Sequence, residues 1–162
     1  MNAPRLLLPA LLAVATAACS GLSTKPDSVP TRIKAGQSWV ITRQAVAEQV
    51  LDTCSRDSPA HHPGRVAGYW APSRQQVEQL EARQQRLAPR IAEPESYDRQ
   101  YVGIVAGGRQ LVYLNAFRLP DHADIDPARE ALRGCDGAAG FWGALYDPET
   151  GEFSEIEVDG VR

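Results

Sequence analysis

The chain has 162 residues, with 17 Lys and Arg against 20 Asp and Glu and a formal net charge of −3. That length suffices for one domain with a real core. The mild acidity speaks against a nucleic-acid partner, which needs a basic face, and against a polybasic membrane patch.

Residues Leu6 to Ala18 form an apolar run preceded by Arg5 and followed by Cys19, Ser20 and Gly21. The run is too short for a spanning helix, which needs about 20 apolar residues, and it ends in small residues. Thr16-Ala17-Ala18-Cys19 resembles the lipobox of bacterial lipoproteins. The resemblance covers residues 1–18 as a signal peptide and departs from the usual pattern in having Thr16 where leucine is common. It implies that the Cys19 thiol carries a lipid and that the chain is cut just before it. Several acyl chains then hold the protein, because one chain alone binds only marginally. Ser20 after the cysteine resembles lipoproteins sorted to the outer membrane of Gram-negative cells, with the domain facing the periplasm. The rival reading is an ordinary secretory peptide cut after Ala15-Thr16-Ala17.

Residues 19–36 are rich in Ser, Thr, Pro, Gly and Lys and read as a flexible tether; residues 37–162 read as a single soluble domain. With Cys19 lipidated, Cys54 and Cys135 remain. An even remainder in an oxidising compartment predicts a disulfide between them, closing a loop of about 80 residues. A first helix is predicted from Thr42, as N-cap, to Cys54, with Val46, Val50 and Cys54 on the buried face.

Ser55 to Pro72 is long for a connection and carries His61, His62, Arg65, Tyr69 and Trp70. Aromatic residues with arginine are common interface anchors, so these five are the candidate partner-binding residues. The competing reading is that Tyr69 and Trp70 staple the second helix onto the core. That helix starts at a capping box, Ser73-Arg74-Gln75-Gln76, and Val77, Leu80, Leu87 and Ile91 follow at helical spacing.

Tyr101–Ala106 and Gln110–Phe117 flank Gly107-Gly108, a strong hairpin signal. A second hairpin joins Phe141–Tyr146 to Glu152–Val158 through Asp147-Pro148-Glu149-Thr150-Gly151. Between them, Asp126-Pro127 predicts a short helix to about Arg133. The expected fold is α+β. N-terminal helices pack on one face of a roughly four-stranded antiparallel sheet made of the two hairpins.

The sequence contains no phosphate loop, zinc-protease helix, nucleophile elbow or dinucleotide fingerprint. His61, His62 and His122 lack ordered metal-ligand spacing. Asp121, Asp124 and Asp126 match only a fragment of a calcium loop, so neither a metal nor another cofactor is expected. Glu155 and Glu157 alternate along the last strand and share a face, without the signature of a catalytic carboxylate pair. The leading functional reading is a non-enzymatic protein-binding module anchored to the membrane by its N-terminal lipid. Its partner would be an envelope or periplasmic protein, and the module either an inhibitor or immunity type or an accessory subunit. The alternatives are a small envelope enzyme acting on peptidoglycan or lipid, and a metal or small-ligand sensor.

Overall fold

The structure is a computed structural model that describes residues 32–33, 36–54, 57–59, 65–118, 124–135 and 140–159. The stretch read as a signal peptide, Cys19, His61, His62 and His122 lie outside the described residues. No helix among the described residues is long and apolar enough to cross a membrane.

The fold is α+β. Among the described residues seven strands form one mixed sheet: β1 (Arg32–Ile33), β2 (Gly36–Val40), β3 (Val66–Trp70), β4 (Asp98–Ala106), β5 (Arg109–Phe117), β6 (Trp142–Asp147) and β7 (Glu152–Val158). The helices are α1 (Gln44–Leu51) and α2 (Arg74–Glu81), with 3-10 turns at Gln84–Leu87 and Pro94–Ser96. β1 and the first residue of β2 fall within the stretch read as a tether.

The two expected hairpins are β4–β5 and β6–β7, joined by β5–β6 pairing. Gly107 and Gly108 both have positive φ, 58° and 75°. This is the backbone of a two-residue turn whose twist matches the flanking strands.

The sheet is larger than the four antiparallel strands expected. β2 and β3 sit end to end along one edge of β4. β2 runs parallel to β4, with Ser38 opposite Arg99 and Val40 opposite Tyr101. β3 runs antiparallel, from Val66 opposite Ala106 to Trp70 opposite Gly103. Gly103 is required there: a Cβ would come 2.2 Å from the Trp70 carbonyl oxygen and 2.9 Å from its ring. The Trp70 indole N–H donates to the carbonyls of Ile104 at 2.9 Å and Leu111 at 3.2 Å.

The helices do not share a face. Val46, Ala47, Val50 and Leu51 of α1 pack with Val102, Ile104, Leu111, Tyr113 and Leu145. Val77 and Leu80 of α2, with Leu87 and Ile91, pack with Tyr101, Val112, Leu114, Ala116, Trp142 and Tyr146. Successive strand residues point to opposite sides, so these are two cores on the two faces of one sheet. The reason is in the strands themselves. β6 is buried at every position, and β4 and β5 nearly so. Their apolar runs lack the polar alternation of a sheet wet on one side.

The helices are also shorter than expected. α1 is N-capped by Arg43, not Thr42, and has no side-chain cap bond. It ends at Leu51, so Cys54 lies beyond the helix and is exposed rather than on its buried face. α2 carries the expected capping box: Gln76 N donates to Ser73 Oγ at 3.3 Å, and Ser73 N donates to Gln76 Oε1 at 2.9 Å.

The helix expected over Asp126–Arg133 is a single turn. Arg129 N and Glu130 N both donate to the Asp126 carbonyl at 2.9 Å. Beyond that turn, buried strand amides capture the backbone groups that a helix would use. Gln100 Nε2 donates to the carbonyls of Pro127 and Glu130, at 2.7 and 2.6 Å. Asn115 Nδ2 donates to the Leu132 carbonyl at 2.8 Å, and Leu132 N donates to Gln100 Oε1 at 3.1 Å.

Candidate functional site

The Ser55–Pro72 segment divides into parts with different tasks. Its end is β3, where Tyr69 and Trp70 alternate across the sheet. Tyr69 packs against the α1 core and Trp70 against the α2 core. Burial, with the nearby Glu48 carboxylate, raises the Tyr69 phenol above its ordinary pKa. The two aromatic rings therefore do not converge on one surface. His61 and His62 are outside the described residues, and Arg65, just before β3, forms an ion pair with Glu155 of β7.

That ion pair spans the α1 face of the sheet and marks a cavity of about 170 Å³. Asp57, Ser58 and Pro59 form one wall, and Arg65, Glu155 and Glu157 line it as well. Tyr113 and Leu145 also contribute to its lining. Among the described residues three carboxylates thus surround one cation in a small recess. Ser58 is buried, and its hydroxyl donates to the Leu51 carbonyl at the end of α1. Nearby, the expected Cys54–Cys135 disulfide is present with a Cα–Cα distance of 4.8 Å. Arg133 Nη1 pairs with Asp52 Oδ2 at 3.1 Å beside it. The segment after α1 and the segment before β6 are therefore tied to each other by a covalent bond and an ion pair.

Glu155 is one of two non-glycine residues with positive φ among the described residues, at 49°. The β6–β7 register shifts at this point: Gly143 faces Glu157 while Leu145 faces Ser154. One extra residue on β7 makes a bulge, a device that re-aims a side chain. Glu155 and Glu157 share a face as the sequence predicts. Their meeting with Asp57 and Arg65 was not legible, because it depends on how the chain crosses the sheet.

A second, wider recess of about 370 Å³ lies at the start of α2 and includes Gln75, Gln79, Gln110 and Glu149. It is polar and open, and its Ser73 and Gln76 are already engaged in the capping box.

On the α2 face, four polar residues of the core meet. Arg99 Nε donates to Glu81 Oε1 at 3.2 Å, and the Tyr101 hydroxyl donates to the same oxygen. Gln84 Nε2 donates to Glu81 Oε2 at 2.6 Å. Arg99 Nη1 donates to the carbonyls of Tyr97 at 2.6 Å and Glu95 at 3.0 Å. Burial raises the Glu81 carboxyl, opposed by the Arg99 charge and by hydrogen bonds from Tyr101, Arg99 and Ser38. Burial raises the Tyr101 phenol further, helped by the Glu81 charge. A perturbed carboxyl can mark a catalytic acid when it lies in a cleft. Here Arg99 and Tyr101 have no solvent exposure. The cluster cross-links α2 to β4 inside the core, which is a structural role.

Among the described residues no group of three or more His, Cys, Asp or Glu is placed to hold a metal ion. Comparison with known proteins finds no matching family model, no matching curated protein and no matching solved structure.

Proposed function

We propose that this chain is a lipid-anchored protein of the bacterial envelope whose domain is a protein-binding module in the periplasm. The lipobox-like Thr16-Ala17-Ala18-Cys19 supports the anchor and the address. The observation that carries the binding role is the recess framed by Asp57, Arg65, Glu155 and Glu157. It is exposed, charged and set on a scaffold stitched by the Cys54–Cys135 disulfide. A preorganised surface loses little entropy on association.

Two subtypes suit this reading: an inhibitor or immunity protein that neutralises an incoming toxin or lytic enzyme, and an accessory subunit of an envelope machine. Affinity purification of the full-length protein from its own envelope, with co-purifying proteins identified by mass, tests it. A stoichiometric partner is expected, and its identity separates the subtypes. Recovery of the protein alone from detergent extracts and from cross-linked cells would overturn the reading. Mass analysis of the amino-terminal peptide tests the anchor. An acylated Cys19 at the terminus is expected. A terminus at Ala18, or a Cys19 without lipid, would refute the anchor.

A further inference from the structure

β7 is the last strand of the sheet, and among the described residues it pairs with β6 alone. Its other edge therefore presents main-chain N–H and C=O groups without a sheet neighbour among those residues. Such an edge is a template for an added strand unless the protein blocks it. Three exposed glutamates lie along this strand, Glu152, Glu155 and Glu157. Glu152 pairs with Arg86 at 3.0 Å and Glu155 with Arg65. Glu155 and Glu157 also open onto the 170 Å³ recess together with Asp57.

We propose that the outer edge of β7 is a docking edge, and that its occupant is an extended, Lys- or Arg-bearing segment of a partner protein. The proposal rests on the reading of the domain as a protein-binding module and names the chemistry of its partner. Main-chain bonds to β7 supply the pairing. Side chains opposite Glu155 and Glu157 on an added strand come within about 4.5–5.5 Å at Cβ, at the mouth of the recess. A cation there meets the excess of carboxylate over guanidinium among the described lining residues, where Asp57, Glu155 and Glu157 face Arg65.

The same charges act against the simplest competitor, a second copy of this chain. In an antiparallel β7–β7 pair the glutamates of both copies crowd one short edge, and like charges across strands are destabilising. One set of side chains thus repels self-association and selects a basic strand, which is how specificity is built against a wrong partner. The bulge at Glu155 acts in the same direction. A bulge bends its strand and raises the local twist, which shortens the flat stretch over which a second copy could pair.

The test uses the full mature chain and a synthetic peptide alternating Val and Lys, with a Val/Glu peptide of equal length as the control. The Val/Lys peptide is expected to bind, to weaken as ionic strength rises, and to slow hydrogen exchange at β7 amides. Glu157→Lys reverses an exposed charge and is expected to weaken binding about tenfold. Glu157→Gln should do so less, and unchanged melting of both variants shows that the fold is kept. Equal binding of the two peptides, unaltered β7 exchange, or full affinity in Glu157→Lys would each overturn the proposal. Envelope capture with the wild-type and Glu157→Lys chains separates the two levels. A partner held equally by both refutes the β7 edge but keeps the module, whereas no partner on either removes the module itself.

Discussion

The two faces of the sheet are sealed by different means. On the α2 face, a capped helix and the turn after it supply Val77, Leu80, Leu87 and Ile91, and the buried polar cluster there is built around an ion pair, Glu81 with Arg99. On the α1 face, a short helix without a side-chain cap covers only part of the sheet. The 124–135 segment covers more of it, held by the amides of Gln100 and Asn115 and by the Cys54–Cys135 disulfide. One face is therefore closed largely by residues near one another in sequence, around a buried charge pair. The other is closed by distant segments that need cross-links. The cavity framed by Asp57, Arg65 and Glu155 lies on the second face. Functional loops are commonly positioned by a scaffold, and here a disulfide and the Arg133–Asp52 ion pair tie the segment after α1 to the segment before β6.

Removing the disulfide should break this contrast most strongly. Its sequence separation is 81 residues, for which the chain-entropy model gives about 4–5 kcal/mol. A Cys54→Ser, Cys135→Ser double variant is expected to lose up to about that much in urea denaturation. Hydrogen exchange should rise first in the 124–135 segment and at the end of α1, with α2 the least affected. Uniform loosening of both faces would show that the bond stabilises the whole sheet instead.

Glu81→Ala is the matching perturbation on the other face. It leaves the Arg99 guanidinium buried without its carboxylate, and breaking one member of a buried pair costs about 3–5 kcal/mol. Replacing both, as Glu81→Leu with Arg99→Met, should recover much of the loss, because a buried pair roughly balances its own desolvation. A double variant as unstable as the single one would show that the pair, together with the bonds from Arg99 to the Tyr97 and Glu95 carbonyls and from Tyr101 and Gln84 to Glu81, adds net stability. The pH response has a definite sign. Burial holds the Glu81 carboxyl above its ordinary pKa, so the folded state keeps this proton to higher pH than the unfolded chain. Its contribution is full below the ordinary carboxylate value and is lost as pH rises through the folded value. Glu81→Gln should remove that part of the pH dependence, measured as denaturation midpoints across the acid range.

Asn115→Ala should act between these and the caps. It strips the donor from the buried Leu132 carbonyl and a contact from Gln100 Oε1. A buried acceptor left without its partner costs about 1–3 kcal/mol. Faster exchange of the Leu132 amide is expected, while α2 amides stay unchanged.

The same contrast between local and distant contacts explains what could be read from the sequence. The hairpins and the α2 start were legible because their signals are local: Gly107-Gly108 sets a turn by itself, and Ser73 with Gln76 closes a capping box by itself. The disulfide was legible from cysteine parity, which needs no geometry. β2 and β3 were missed because each is five residues long and pairs with only part of β4. The second covered face was missed although β4 to β6 carried its signal, a run of apolar residues without polar alternation. The truncated third helix depended on Gln100 and Asn115, whose bonds to it span distances in sequence that no local pattern shows. The candidate site was the least legible part. Arg65 and Glu155 are 90 residues apart, and nothing in either neighbourhood points to the other.

The smallest expected effect isolates the local part of the contrast. Ser73 accepts from Gln76 N and caps α2, so Ser73→Ala should cost about 1 kcal/mol. Thr42 looks like an equally good cap in sequence. In the structure Arg43 takes that position without a side-chain bond, and Thr42 is exposed. Thr42→Ala should therefore change stability by less than about 0.5 kcal/mol, as ordinary surface substitutions do. Measuring both in one urea series removes most systematic error. Equal losses would mean that Thr42 caps α1 in solution, and that the two helices start by the same local chemistry. Unequal losses would place the difference between the faces at the first turn of each helix: α2 carries its own start signal, while α1 is held in place by the core of Val46, Val50 and Leu51 beneath it.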